Sequence, residues 1–187
     1  MLQRLFFEGR YLFGRAPWDT GITPPEVTAV LDARPPGRAL DVGCGTGTNA
    51  LSMARRGWRV TAIDLSRLAM QSARRKSRAA NLPVDFRRVD ASTFQGIQGP
   101  FDFILDIGCF HSLPPAGRSG YGSRLPELLS RAGVFMLFSF LGTPPDPGWP
   151  SRAEIERTFD RSFRLERVEP GLTFGRPSAY FTWVRPS

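Results

Sequence analysis

Ala39-Leu40-Asp41-Val42-Gly43-Cys44-Gly45-Thr46-Gly47 reads as a short buried strand that runs into three alternating glycines, with a carboxylate just ahead of them. Glycines let a chain turn sharply and approach a ligand closely. A helical pattern follows over Asn49 to Arg56 and stops at Gly57. The free N–H groups and dipole at such a helix start favour an anionic group. The dinucleotide fingerprint G-x-G-x-x-G needs its last glycine at position 48. Here Thr48 stands at that position and the glycine is displaced to Gly47. Asp41 would repel a pyrophosphate but suits the ammonium of an amino acid. The loop therefore points to a zwitterionic ligand rather than to a dinucleotide.

Outward from this loop, strand patterns alternate with helix patterns. A second strand covers Arg59 to Ile63, and Ser66 caps a helix that runs to about Ala80. Strands follow at Val84 to Val89 and Phe101 to Ile107, then a helix over Ser123 to Arg131 closed by Gly133. Val134 to Leu141 is a fifth strand, Arg152 to Phe159 a helix, and Phe163 to Val168 with Ala179 to Val184 a closing pair. Alternation of this kind predicts a doubly wound, mostly parallel α/β sheet with helices on both faces. The last two strands lack a helix-length spacer and predict an antiparallel hairpin. The expected architecture is a single Rossmann-like domain over 1–187 with seven strands, in which 38–187 is the core and 1–37 a lid or cover.

In open α/β sheets, ligands bind outside the carboxyl ends of the strands. Asp41, Asp64, Asp90 and Asp106 each end or follow a different predicted strand. Asp64 can accept from ribose hydroxyls, as acids do at that place in nucleotide-binding folds. Asp90 can accept from an adenine amine, and Leu65 and Ala91 offer apolar walls.

Composition narrows the rest. Hydrophobic residues make up 41% of the 187 residues, enough to build a core. Cys44 and Cys109 are the only cysteines and His111 the only histidine, which excludes a disulfide scaffold and a histidine-cysteine metal cluster; no metal is expected. The cysteine usage suggests a reducing, cytoplasmic setting. The formal charge is +8, carried almost wholly by arginines spread along the chain, with Lys76 the only lysine. Charge alone specifies no partner. No run is long and apolar enough to span a bilayer, and no signal peptide is recognisable.

Asp41-x-Gly43-x-Gly45-x-Gly47, Asp64-Leu65-Ser66 and Asp90-Ala91 resemble the class I S-adenosylmethionine (SAM)-dependent methyltransferases over Arg38 to about Leu141. Two further segments narrow the likeness. Pro17-Trp18-Asp19-Thr20-Gly21 with Pro24-Pro25-Glu26 resembles the N-terminal signature of thiopurine- and tellurite-resistance-type enzymes. Asp106-Ile107-Gly108-Cys109-Phe110-His111-Ser112-Leu113 resembles a segment of bacterial heterocyclic-toxin and benzoquinone methyltransferases. The resemblance implies SAM as cofactor, S-adenosylhomocysteine (SAH) as product and a small-molecule methyl acceptor. It implies Trp18 and Gly21 as part of a cover over the cofactor. It places Asp41, Gly43, Cys44, Gly45, Gly47, Asp64, Leu65, Ser66, Asp90, Ala91 and Asp106 around SAM, with Ile107 as a wall near its methionine moiety.

Transfer from a sulfonium needs alignment and exclusion of water, and a base only when the acceptor arrives protonated. His111 is the expected base, set against the plainer reading of a histidine bonded to the backbone. The aromatic stretch over residues 1–15 reads as a lid, with peripheral membrane contact as the alternative. Rival functions are a nucleic-acid methyltransferase, disfavoured because the segment after the fourth strand lacks an Asn/Asp-Pro-Pro-aromatic motif, and a non-catalytic SAM-binding subunit. A monomer or homodimer is expected.

Overall fold

The computed structural model describes residues 8–11, 17–142 and 148–186. Its elements after the helical residues 8–11 are α1 (Pro25–Asp32), β1 (Arg38–Val42), α2 (Thr48–Arg55), β2 (Arg59–Asp64), α3 (Arg67–Ala79), β3 (Val84–Arg88), β4 (Phe101–Ile107), a 3-10 turn (Phe110–Ser112), α4 (Pro115–Leu128), β5 (Leu129–Phe140), α5 (Arg152–Phe159), β6 (Arg164–Thr173) and β7 (Arg176–Val184). The strands form one seven-stranded sheet in the order β3-β2-β1-β4-β5-β7-β6. The β1/β2, β2/β3 and β4/β5 pairs are parallel, whereas β7 runs antiparallel to both β5 and β6. This is the Rossmann-like sheet with a C-terminal antiparallel hairpin that the alternation predicted. Two compact units divide the chain, one reaching to Asp90 and the other starting at Ala91.

In the first unit, Ala39, Leu40 and Val42 of β1 and Val60, Ala62 and Ile63 of β2 are buried. Strands covered on both faces read as continuous apolar runs rather than as alternation. Pro24 and Pro25 start α1, whose first turn can spare an N–H. Ser66 caps α3 by accepting from the Ala69 N–H at 3.1 Å, and Gly57 has a left-handed φ of +84° two residues after the end of α2.

The second unit departs from the sequence expectation at two places. The helix expected over 123–131 is α4 over Pro115–Leu128, so it starts and ends earlier. Gly117, Gly120 and Gly122 give this stretch poor intrinsic helicity, at about 1 kcal/mol each relative to alanine. Close packing accounts for two of them. A Cβ at Gly120 would run into the Ser92 carbonyl, and one at Gly122 would lie 2.5 Å from the Thr158 methyl. Gly133 does not close a helix. The fifth strand begins at Leu129, not Val134, and its register against β4 shifts between Phe101 and Phe103. Ala132 takes a φ of +59° within that irregularity, and a Cβ at Gly133 would press on the Ser130 carbonyl at 2.8 Å.

The hairpin is longer than its expected strands because Phe174 and Gly175 both adopt positive φ, +52° and +72°. That pair of conformations suits the tight turns that join twisted antiparallel strands. The core of the second unit is aromatic. Phe135 stacks on Trp183 at 5.3 Å, and Phe159 packs on both at 5.0 Å. Among the described residues, no helix is long and apolar enough to cross a membrane. The membrane contact expected of residues 1–15 falls mostly outside the described residues.

Candidate active site

In the first unit the loop after β1 is built on three left-handed glycines, Gly43, Gly45 and Gly47, with φ of +69°, +53° and +86°. Side chains rarely adopt this conformation. At Gly47, the cap of α2, a Cβ would also lie 3.0 Å from the Ala73 methyl. The loop is pinned from below, since the Cys44 N–H donates to the Ile63 carbonyl at 2.9 Å. Asp41 is buried in β1, two residues before the first of these glycines.

Asp64 ties the loop to the end of β2. One of its oxygens accepts from the Gly45 N–H at 2.9 Å and the other from the Ser66 N–H at 2.7 Å. Burial pushes its pKa up, against the pull of these backbone donors. A carboxylate has about four lone-pair directions. The Gly45 and Ser66 amides occupy two of them, one on each oxygen. Leu65 beside it is partly exposed, Ala91 is buried and Asp90 is exposed.

The N-terminal segment lies on this loop at several points. The Tyr11 hydroxyl sits over Gly45, so near that a Cβ there would be 2.8 Å from it. The Trp18 indole N–H donates to that hydroxyl at 3.1 Å, with the rings edge to face. Burial, then the charge of Asp64, drives the Tyr11 pKa far above its usual value. Thr46 donates to the Asp19 carboxylate at 2.7 Å and accepts from Lys76 at 2.6 Å. Glu8 accepts from the Ser66 hydroxyl and from the Arg67 and Leu68 N–H groups. An anion there complements the first turn of α3. Gly21 is exposed, with φ of +72°. The sequence resemblance singles out Trp18 and Gly21 for the cover, whereas the bonds of Glu8, Asp19, Thr46 and Lys76 are visible only in the structure. The rarity of lysine in this chain was the one signal that pointed to Lys76.

In the second unit Asp106 is fully buried at the end of β4. It accepts from the Cys109 N–H at 2.7 Å, the Phe110 N–H at 3.0 Å and the Tyr121 hydroxyl at 2.9 Å. Burial raises its pKa to about 7. Asp106 thus braces the 3-10 turn, and the half-buried Ile107 and Gly108 lead into it.

That turn carries His111, whose Nδ1 accepts from the Phe140 N–H at 3.1 Å. Burial, then the nearby Arg118 charge, lowers the His111 pKa to about 4. The ring is therefore neutral at pH 7, with its proton on Nε2. With Nδ1 occupied by the Phe140 N–H, the geometry favours the plainer reading, a histidine bonded to the backbone, over a base. The Nδ1 lone pair is spent on Phe140, and Nε2 offers a proton rather than taking one. Around it stand Phe140 at 5.1 Å, Trp149 at 6.1 Å and Phe138 at 6.5 Å between ring centres. Trp149 stacks on Phe140 at 4.7 Å, and the Arg176 guanidinium lies 4.8 Å over Trp149. Phe138 meets Tyr180, its cross-strand partner, at 5.0 Å.

The sheet and the glycine loop define an α/β protein of the nucleotide-cofactor-binding type, and residues 39–133 match the family model of the methyltransferase domain. That span is just over half of the chain, and the chain belongs to this family; it is a methyltransferase. It is 27% identical over 176 residues to a 2-heptyl-1-hydroxyquinolin-4(1H)-one methyltransferase of Mycobacteroides abscessus, covering 90% of this chain and 78% of that one. A structure from work on converting a disulfide bond into a thioacetal group during echinomycin biosynthesis superposes with a TM-score of 0.82 at 25% identity, covering 98% of this chain and 93% of that one. The Burkholderia thailandensis 1,6-didemethyltoxoflavin-N1-methyltransferase, solved with its heterocycle and SAH, superposes with a TM-score of 0.81 at 23% identity, covering 98% and 87%.

Proposed function

We propose that this chain transfers a methyl group from SAM to an O, S or N nucleophile of a small aromatic or heterocyclic molecule. The observation that carries the reading is the loop of left-handed glycines at the end of β1, preceded by the buried Asp41 and bonded to Asp64. Its chemistry fits SAM. Asp41 suits the ammonium, while Gly43, Cys44, Gly45 and Gly47 leave room for the amino-acid end. The remaining lone pairs of Asp64 suit the ribose hydroxyls, Asp90 the adenine amine, and Leu65 and Ala91 its faces. Ser66 acts through the cap of α3 and Asp106 through the turn it braces, with Ile107 beside the methionine moiety. Trp18 and Gly21 belong to the cover, together with Tyr11.

Asp41, the glycine loop and Asp64 would hold SAM, which would supply an electrophilic methyl carbon to the acceptor's lone pair, with the carbon–sulfur electron pair kept by the sulfur of SAH. The chain's own contribution is alignment and exclusion of water. The quinolone and toxoflavin-precursor activities of its relatives support a flat heterocyclic acceptor. The low cysteine count, Cys44 and Cys109 alone, supports a reducing, cytoplasmic setting.

Calorimetric titration of the full chain with SAM and SAH tests the cofactor. Incubation with SAM and a panel of hydroxyquinolones, phenols, thiols and nitrogen heterocycles, read by mass spectrometry, tests the reaction. Binding of both cofactor forms and a methylated heterocycle are expected; absence of any binding would overturn the reading.

A further inference from the structure

The sequence marks His111 but does not say what it does once its Nδ1 is spent on the Phe140 N–H. The ring sits on the turn after β4, and Phe140 is the last residue of β5. Both lie at carboxyl ends of parallel strands, where open α/β sheets take their ligands. Phe138, Phe140, Trp149 and Tyr180 beside it are only half-buried, unlike the aromatic core of the same unit. Phe138, Phe140 and Tyr180 share one face of the sheet, by strand alternation and by the Phe138–Tyr180 pairing.

Gly108 adds an independent sign. A Cβ there would lie 3.1 Å from Cε1 of His111 and 3.6 Å from its Nε2. A side chain at this position would therefore press on the Cε1–Nε2 edge of the imidazole. The left-handed φ of +88° fixes glycine at this position as well.

We infer that His111, with the aromatic face of Phe138, Phe140, Trp149 and Tyr180, is the acceptor subsite, and that it takes a flat heteroaromatic ring whose oxo or oxide oxygen accepts from the Nε2–H of His111. This rests on the methyltransferase reading and deepens it. Aromatic faces supply area and flatness selection. The polar donor supplies orientation, because a site built to bond an oxygen leaves a buried group unpaired when the oxygen is missing. The Arg176 guanidinium over Trp149 adds positive potential on the same side, favouring electron-rich or anionic rings. A histidine that donates takes no proton from its substrate. The subsite therefore selects acceptors whose nucleophilic atom is already without its proton at neutral pH, such as an acidic N-hydroxy or phenolic oxygen or a ring nitrogen.

The test uses the full chain and two probes that differ by one oxygen, 4-quinolone and quinoline. His111 is the only histidine, so its imidazole gives one set of NMR signals. Addition of 4-quinolone is expected to shift the Nε2–H resonance, with binding about tenfold tighter than quinoline, the factor that 1.4 kcal/mol of a hydrogen bond supplies. His111→Phe is expected to erase that preference. His111→Gln, which keeps an N–H donor near the Nε2 position, is expected to recover most of it. Equal binding of the two probes, an unmoved imidazole, or equal loss in the Gln and Phe variants would overturn the inference. SAM calorimetry on the same samples reads the parent proposal separately. Bound SAM with an unmoved imidazole sinks the subsite alone, whereas absence of SAM binding sinks the methyltransferase reading. Retained SAM binding also shows that each variant has folded.

Discussion

The Phe140 amide donates to Nδ1 of His111 across 3.1 Å, and this bond joins the turn after β4 to the last residue of β5. It fixes the imidazole tautomer, and with burial it holds the ring neutral. The histidine signal is therefore expected to titrate with a midpoint near 4 rather than near 6.5. The folded midpoint lies below the unfolded one, so the unfolded chain takes up the proton first. Stability from this group is complete above pH 6.5 and is lost as pH falls toward 4. A midpoint moved that far caps the loss at about 3 kcal/mol. Urea denaturation of the parent and of His111→Gln across pH 4–7 measures it. The difference between the two is expected to shrink or reverse at the acid end. A difference that is flat across this range would refute the neutral, backbone-bonded ring.

Asp106 runs the opposite way. Its folded pKa, raised to about 7 by burial, lies above the unfolded value. Its contribution is therefore greatest at low pH and declines as pH rises from about 4 to 7. Its oxygens also satisfy the Cys109 and Phe110 amides and the Tyr121 hydroxyl. Asp106→Asn removes one acceptor oxygen and turns an N–H toward donors, and is expected to cost about 2–4 kcal/mol. Tyr121→Phe is expected to cost about 1–2 kcal/mol, by the loss of one hydrogen bond to the carboxyl. Unfolding midpoints at pH 5 and pH 8 check both costs. A neutral Asp106→Asn would show that the turn does not depend on this carboxyl.

Close packing, invisible in composition, decides α4. Gly120→Ala brings a methyl into the Ser92 carbonyl. Although alanine raises intrinsic helicity by about 1 kcal/mol, the clash is expected to win, with a net loss of about 1–3 kcal/mol as in overpacked cores. A stabilised Gly120→Ala in thermal unfolding would mean that the contact relaxes freely.

The same contrast separates what was legible in the sequence from what was not. Asp41 and Asp64 could be placed because a strand end is written locally, in an apolar run that stops at a polar residue. The glycine loop could be read because its φ demands leave a residue signature. The start of α4 at Pro115 was hidden by glycines chosen for contacts with Ser92 and Thr158, residues far along the chain. Gly133 misled for a related reason, since a glycine ends helices and marks strand irregularities alike. The polarity of His111 was hidden because it depends on the Phe140 amide, a partner 29 residues away that no local pattern encodes. Asp106 had the right position at a strand end, but its oxygens are turned into the protein toward Tyr121.

The cover segment provides the last prediction. Thr46 stands between Asp19 and Lys76, donating to one and accepting from the other. Among the described residues, its hydroxyl joins the carboxylate of the cover and the ammonium on α3 to the glycine loop. Asp19→Asn weakens the acceptor and Lys76→Met removes the donor, and each acts on the same oxygen. Residues in one network couple by about 0.5–3 kcal/mol. The double variant is therefore expected to lose less SAM affinity than the two single losses combined, and Thr46→Val is expected to match the double variant. Each single change is expected to weaken SAM binding severalfold while leaving the unfolding midpoint nearly unchanged, because Asp19 is exposed and Lys76 only half-buried. Calorimetry over the four-variant cycle reads the coupling directly. Additive losses would mean that the cover and the loop bind SAM without reference to each other.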